Sequence, residues 1–375
     1  MNSTRAGYAR SRRQHRHRRN RTIVLYACAG ALALLAGLTY MCRQDVFGAA
    51  VKPKITEYKT ERSVWLADWR WKAGMEQLGT VVGGLSSLQL FAAYFDESDR
   101  LLFTDEFRQA LPAVRQEAER SGLNNLFLTL VNDIKPAAGA DIQKDGELVS
   151  RLVQDFASRR KHINEIVAAV ETYGLSGVEL DYERVGEADW PNYAQLIREL
   201  HTRLSGQGKE LRVVFEPRAP LERLDLPEGP VYVMMAYNLY GSHSGPGPKA
   251  DDAFVRQLAK RMKTLSDRPY IALSTGGFDW HGGTGNAVGI TERQAAELAG
   301  GAAPARDKAS GALHFEYTDS SGARHEVWYA DGATLAQWIR AAKSQGIHNI
   351  AVWRLDELGE ESLEQLRSSG TAANE

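Results

Sequence analysis

Apolar positions in this 375-residue chain follow two different patterns. Near the N-terminus, Thr22 to Met41 is an uncharged run of about twenty residues (TIVLYACAGALALLAGLTYM). At about 1.5 Å per residue, such a helix spans the roughly 30 Å hydrocarbon core of a membrane. From Ser63 onward, short apolar runs alternate with longer stretches of helical spacing. The strand-like runs are SVWLADW (63–69), SLQLFAAYF (87–95), NLFLTLV (125–131), GVELDYE (177–183), LRVVFEP (211–217), VYVMMAY (231–237), YIALSTGG (270–277) and NIAVWRL (349–355). Between them lie amphipathic stretches such as TDEFRQALPAVRQEAERSG, SRLVQDFASRRKHINEIVAAVETYG, DWPNYAQLIRELHTRLSG, DDAFVRQLAKRMKTLSD and DGATLAQWIRAAKSQG. Thr104 or Asp105 supplies a helix start, and Gly122, Gly174, Gly206 and Gly346 supply stops.

Eight strands alternating with helices predict an α/β protein with a parallel sheet. A closed (β/α)8 TIM barrel fits the count, with a doubly wound open sheet as the alternative. Neither a G-x-G-x-x-G after the first strand nor a G-x-x-x-x-G-K-[ST] is present, which argues against a nucleotide-binding sheet. The segment LHFEYTDSSGARHEVWYAD (313–331) predicts a small β-hairpin inserted before the last helix, turning at Ser320-Ser321-Gly322. The expected organisation is a basic tail (1–21), a transmembrane helix (22–42), a linker (43–60) and one barrel (61–368).

Charge sharpens this division. The formal net charge is -1, yet residues 1–44 hold nine Arg and no acid, so the rest carries about -10. Arg before an apolar span keeps that end cytoplasmic, which predicts an exported body on a single-pass anchor. A cleaved signal peptide is the competing expectation, with Gly48-Ala49-Ala50 as a cleavage site, although it lies several residues beyond the apolar end. The Arg-rich tail could also bind nucleic acid, but as the cytoplasmic flank of a span it needs no such partner. Both cysteines, Cys28 and Cys42, lie in or beside the span, so the body has no thiol nucleophile and no disulfide.

The run Ser176-Gly177-Val178-Glu179-Leu180-Asp181-Tyr182-Glu183 carries the most chemistry. Strand alternation puts Glu179, Asp181 and Glu183 on one face and Val178, Leu180 and Tyr182 on the other. In a barrel the acids enter the interior, where like charges about 7 Å apart favour a proton on at least one of them. Glu183, last in the run, would sit at the C-terminal mouth, where barrel active sites lie, and a carboxyl kept protonated there suits a general acid.

This pattern resembles the D-x-x-D-x-D-x-E signature of glycoside hydrolase family 18. Met235-Ala236-Tyr237-Asn238 looks like the family's M-x-Y-D motif, and Trp353 matches the tryptophan that floors the sugar subsite. The tracts GGFDW (276–280) and HEVWYADGATLAQWIRAAKSQGIHNIAVWRL (325–355) are similar to the branch containing bacterial spore-cortex and spore-germination hydrolases. The resemblance implies a retaining glycosidase acting on N-acetylated polysaccharide or peptidoglycan. Glu183 would protonate the glycosidic oxygen, and the substrate's own N-acetyl oxygen would attack the anomeric carbon. Asp181 would orient the acetamido group, and Tyr237 would hydrogen-bond its oxygen. No metal or organic cofactor is implied.

Three positions depart from the family pattern. Ser176 and Glu179 stand where the signature has its first two Asp, and Asn238 replaces the Asp of the sixth-strand motif. They leave open a barrel that binds glycans or a protein partner without cleaving. Further candidates for substrate contact are Asp68 and Trp69 on the first strand and Trp280 after the seventh, with Asn238, Glu179 and Met235. Asp96, Glu216 and Asp279 are weaker mouth candidates, and Gly282 and Gly283 suggest a loop flanking the cleft. His243, His281 and His325 show no metal-ligand spacing.

Overall fold

The computed structural model describes residues 60–281 and 286–367. The expected tail, membrane span and most of the linker lie outside the described residues. Among the described residues, no helix is long and apolar enough to cross a membrane.

In chain order the elements are β1 (Arg62–Ala67), α1 (Trp71–Val81), β2 (Ser87–Phe95), β3 (Leu101–Phe103), α2 (Asp105–Ser121), β4 (Leu126–Ile134), α3 (Gly146–Val153), α4 (Phe156–Thr172), β5 (Gly177–Asp181), α5 (Trp190–Ser205), β6 (Glu210–Phe215) and β7 (Val231–Met235). There follow α6 (Asp252–Met262), β8 (Tyr270–Ser274), β9 (Gly276–His281), β10 (Ala287–Ile290), α7 (Glu292–Ala299), β11 (Ala305–Arg306), β12 (Leu313–Thr318), β13 (Arg324–Ala330), α8 (Gly332–Lys343), β14 (Asn349–Trp353) and α9 (Glu360–Arg367).

Eight strands, β1, β2, β4, β5, β6, β7, β8 and β14, pair in parallel, and β1 pairs with both β2 and β14. The sheet therefore closes into the expected (β/α)8 barrel. Two apolar layers hold it together. Outward residues of the strands, among them Val178 and Leu180, join the helices in one large core, while Trp65, Phe91, Val131, Val233, Met235 and Tyr270 form a separate interior cluster.

Local chemistry accounts for the element ends. Thr104 caps α2 through Phe107 N, and Gly122 closes it in the left-handed region. The long helix expected before β5 is instead two. Asp155 adopts an extended backbone and accepts from Ser158 N, which caps a new helix and separates α3 from α4. Helices α1, α7 and α9 are additional to those expected, and α8 is followed by β14 and α9.

The hairpin β12–β13 forms as expected, turning through Gly322 at φ 88°. It is, however, part of a larger insertion. β9 pairs with β13 and β10 with β9, giving a five-stranded sheet in the order β10-β9-β13-β12-β11. The run YIALSTGG divides here. Gly276, at φ 62°, turns the chain out of β8 into β9, and a Cβ at Gly277 would lie 1.8 Å from Trp328 O. Only glycine permits this close pairing.

Candidate active site

The register of β5 decides where each acid goes. Glu179 stands level with Thr129 on β4 and Arg212 on β6. Its side chain accepts from Thr129 Oγ1 at 2.9 Å, Arg212 Nε at 2.9 Å and Trp65 Nε1 at 2.6 Å, and it is fully buried. The Arg212 guanidinium lies over Phe127 and Tyr270. Glu179 is thus half of an ion pair inside the barrel, below the cleft, and not the substrate contact expected from the sequence. Its extra methylene lets it span to a partner on the neighbouring strand. Ser176 lies one step before β5, where its hydroxyl donates to Asn124 O and accepts from Leu126 N, so it ties the lower end of the strand.

Asp181 is one layer higher, buried, and its Oδ1 has no hydrogen-bond partner. Burial raises its pKa to about 8, with Lys144 opposing that shift and Glu183, Glu179 and Asp133 adding to it. Of the acid row, Asp181 is therefore the member whose protonated form burial favours.

Glu183 lies two residues beyond the strand, not on it as expected. It is held by a clamp that sequence reasoning missed. The buried Asn132 side chain donates to Glu183 O at 2.8 Å and accepts from Glu183 N at 3.0 Å. On the other side, Glu216 accepts from Arg184 N at 2.7 Å while Arg184 takes φ 55°. Burial raises the Glu216 pKa, and Glu183 is one of its charged neighbours. The carboxylate of Glu183 meets Lys144, whose Nζ is 2.8 Å from Oε1. Asp133 accepts from Lys144 N, and Gly146 has no room for a Cβ, which would lie 2.4 Å from Arg184 O. The polar pair Asn132-Asp133 ending an apolar strand was a visible signal; Lys144, alone in a loop, gave none.

Aromatic residues face these acids. Tyr237 follows β7, buried, and its hydroxyl pKa is pushed up by burial first and then by the charges of Asp181, Glu183 and Glu179. Met235 belongs to the same interior cluster as Tyr237 and is 5% exposed. Trp353 ends β14, and its ring is 4.9 Å from Phe91, 6.0 Å from Trp65 and 6.4 Å from Trp69. The Trp353–Arg354 peptide bond is cis. Trp69 is 49% exposed and packs edge-on to Phe91. Asn238 is exposed at φ 60°, a conformation that Asn tolerates well.

Two expected contacts are internal ties instead. Asp68, just past β1, accepts from Tyr94 Oη, Thr104 Oγ1 and Trp69 N, and is buried. Trp280 lies on β9, 2% exposed, donating from Nε1 to Ser244 O. Its neighbour Asp279 accepts from Tyr317 Oη and contacts His325 Nδ1, which holds the inserted sheet together. Asp96 turns a loop, accepting from Ser98 N and Arg100 N. Gly282 and Gly283 lie outside the described residues.

A cavity of about 390 Å³ opens beside Tyr237, Asn238 and Trp353, between the barrel mouth and the inserted sheet. Lys249, Phe278 and Arg354 also line it. Among the described residues, no group of three or more His, Cys, Asp or Glu is arranged to hold a metal ion.

Comparison with known proteins fits this architecture. The Cortical fragment-lytic enzyme of Bacillus subtilis (strain 168) is 25% identical over 256 residues, covering 62% of this chain and 57% of the enzyme. That of Bacillus anthracis is 28% identical over 230 residues, covering 56% of this chain and 53% of the enzyme. The chain spans about half the length of these curated relatives. Among solved structures, the spore cortex-lytic enzyme SleL of Bacillus cereus superposes with a TM-score of 0.67 at 21% identity, covering 84% of this chain and 75% of that one. A chitinase from Chromobacterium violaceum gives 0.70 at 15% identity, covering 84% of this chain and all of that one (100%). Residues 143–357 match the profile of Glycosyl hydrolases family 18, and the chain belongs to that family.

Proposed function

We propose that the chain is a membrane-anchored retaining glycosidase that cleaves β-linked, N-acetylglucosamine-containing glycans of the peptidoglycan or chitin type. The observation that carries this reading is the placement of Asp181, Glu183 and Tyr237 at the C-terminal end of the barrel, electrostatically coupled, with Trp353 lining the adjoining cavity.

With a sugar seated over Trp353, the proton favoured on Asp181 passes to Glu183, which gives it to the glycosidic oxygen as the bond to the anomeric carbon breaks. The substrate's acetamido oxygen attacks that carbon, closing an oxazolinium ring. The substrate-assisted route replaces the second carboxylate of the usual retaining pair. Asp181 and Tyr237 hold the acetamido group in line. Glu183 then takes a proton from water as the water opens the ring, restoring the starting configuration. The names of the cortex-lytic relatives favour a peptidoglycan-type substrate. The uncharged run 22–42 after an Arg-rich start supports the anchor.

The test is turnover of peptidoglycan, chitin and poly-N-acetylglucosamine by the wild type and Glu183→Gln, with the product anomer followed by NMR. Loss of turnover in Glu183→Gln with retention in the wild type is expected. Equal turnover by both proteins on every glycan would refute the assignment.

One contact favours a second reading, a barrel that binds glycans without cleaving them. Lys144 occupies Oε1 of Glu183, the atom that must meet the glycosidic oxygen if that carboxyl oxygen carries the proton. The same assay separates the two, because a binder retains glycan affinity in Glu183→Gln and shows no turnover in either protein.

A further inference from the structure

The cavity beside Trp353 carries a cation that hydrolysis of a neutral glycan does not require. Lys249 lines it, and its ammonium donates to Ser274 Oγ and Thr275 O, both at 3.0 Å. An ammonium has three N–H donors, so one remains. Among the described residues, no carboxylate pairs with Lys249. The ammonium also lies over the Phe278 ring, 5.3 Å from its centroid. Burial, and then the charge of Arg354, lower the Lys249 pKa to about 7.

The cavity's own acids are already engaged. Asp356 accepts from Arg70 Nε and pairs with Arg354 NH2 at 2.6 Å. Glu292 accepts from Ser362 Oγ at 2.7 Å, and burial raises its pKa. Arg354 lies over the rings of Trp69 and Trp353, and its Nε is buried without a hydrogen-bond partner. Lys249 thus brings one spare N–H donor to the cavity, and Arg354 adds a second positive charge to the same lining as Tyr237 and Trp353. An anionic group attached to the bound glycan would satisfy that donor and lie within the field of both cations, and charge-assisted hydrogen bonds of this kind are the strong ones.

We propose that this cavity is a carboxylate-recognising subsite, in which Lys249 and Arg354 bind a carboxylate carried by the glycan. The inference rests on the glycosidase reading and narrows its substrate class. Chitin offers no carboxylate. A glycan alternating N-acetylglucosamine with a lactyl-ether-bearing N-acetylhexosamine offers one on every second sugar, and its stem peptides offer others.

The test measures affinity on the full chain in detergent, in a Glu183→Gln background, by calorimetry. Three probes are compared: the peptide-free alternating glycan with its lactyl carboxylate free, the same glycan as the methylamide, and the peptide-bearing glycan. The acid should bind about tenfold more tightly than the amide. That ratio should shrink with added salt. It should fall to about one when Lys249→Met is added and persist with Lys249→Arg. Because the salt dependence needs no change at Lys249, it still decides the matter where Lys249→Met fails to fold. The peptide-bearing glycan binding as tightly as the free acid would keep the subsite and assign the carboxylate to the stem. Equal affinity for acid and amide, a ratio unmoved by Lys249→Met, or no measurable binding of either form overturns the subsite. Wild-type cleavage is scored separately. Cleavage without acid preference removes the subsite and keeps the glycosidase, whereas acid preference without cleavage does the reverse.

Discussion

At the scale of single residues, the acid row carries three different fates that one strand pattern could not separate. Glu179 is neutralised below the cleft by Arg212, Glu183 is presented at the mouth opposite Lys144, and Asp181 is buried between them with an oxygen lacking a hydrogen-bond partner. The raised Asp181 pKa makes a stability prediction with a definite sign. The group holds its proton up to about pH 8 when folded and releases it near the ordinary carboxylate value of 3.8 when unfolded. Its contribution is therefore fully present below about pH 4 and is lost as pH rises through about 8. Asp181→Asn imitates the protonated form and cannot ionise. The Tm of Asp181→Asn minus that of the wild type should accordingly grow between pH 5 and pH 9. A difference that stays constant across that range would show that Asp181 titrates normally. Asp181 and Glu183 were legible as inward-facing acids because alternation is a property of the chain itself. Lys144 was not, because its approach to Glu183 depends on a loop shaped by Asp133, a left-handed residue and the missing side chain of Gly146. Asp68 and Trp280 misled for a related reason. A polar or aromatic residue at a strand end has the same sequence pattern whether it faces a ligand or a neighbouring strand.

At the scale of elements, apolar runs and caps located the barrel strands, since both are local. The five-stranded insertion was only partly legible, because β9 depends on pairing with β13, more than forty residues later in the chain, and β10 in turn depends on β9. β9 also reads as a glycine-rich loop until Gly277 is seen packed against Trp328 O. The ion pair joining β5 to β6 is the clearest case of such long-range dependence. Arg212 and Glu179 are 1% and 0% exposed, so each charge has exchanged water for the other and for Trp65 and Thr129. Removing one partner leaves the other charge buried without compensation, which costs about 3–5 kcal/mol. Glu179→Ala should lower stability by about that amount in urea unfolding. Arg212→Met combined with Glu179→Leu should recover most of the loss, because an apolar pair of similar volume asks for no solvation. A double variant less stable than Glu179→Ala would mean that the pair holds the barrel register in a way that packing cannot replace.

For the whole molecule, the proposed division into an anchor and a barrel is tested best at the seam where the barrel closes. The last described residues before β1 belong to the barrel. Glu61 accepts from Arg268 and Tyr270, and its backbone bonds Asn349 Oδ1 and Ile350 N, so it ties β1 to β8 and β14 where the sheet closes. A soluble fragment must therefore keep Glu61. A fragment from Lys59 should unfold cooperatively, whereas one from Ser63 should melt several degrees lower, since it loses those ties at the seam. The same pair of proteins tests the anchor. If residues 22–42 are what holds the enzyme at a membrane, the full chain sediments with vesicles at low and high salt alike. The Lys59 fragment then stays in the supernatant and turns over a soluble glycan as fast as the full chain does. Salt separates the anchor from its rivals, because binding through the Arg-rich tail alone weakens as ionic strength rises, and burial of an apolar helix does not. If the Lys59 fragment sediments as completely as the full chain, the barrel's own surface carries the membrane affinity. The apolar run would then need another explanation, the cleaved leader ending near Gly48-Ala49-Ala50 first among them.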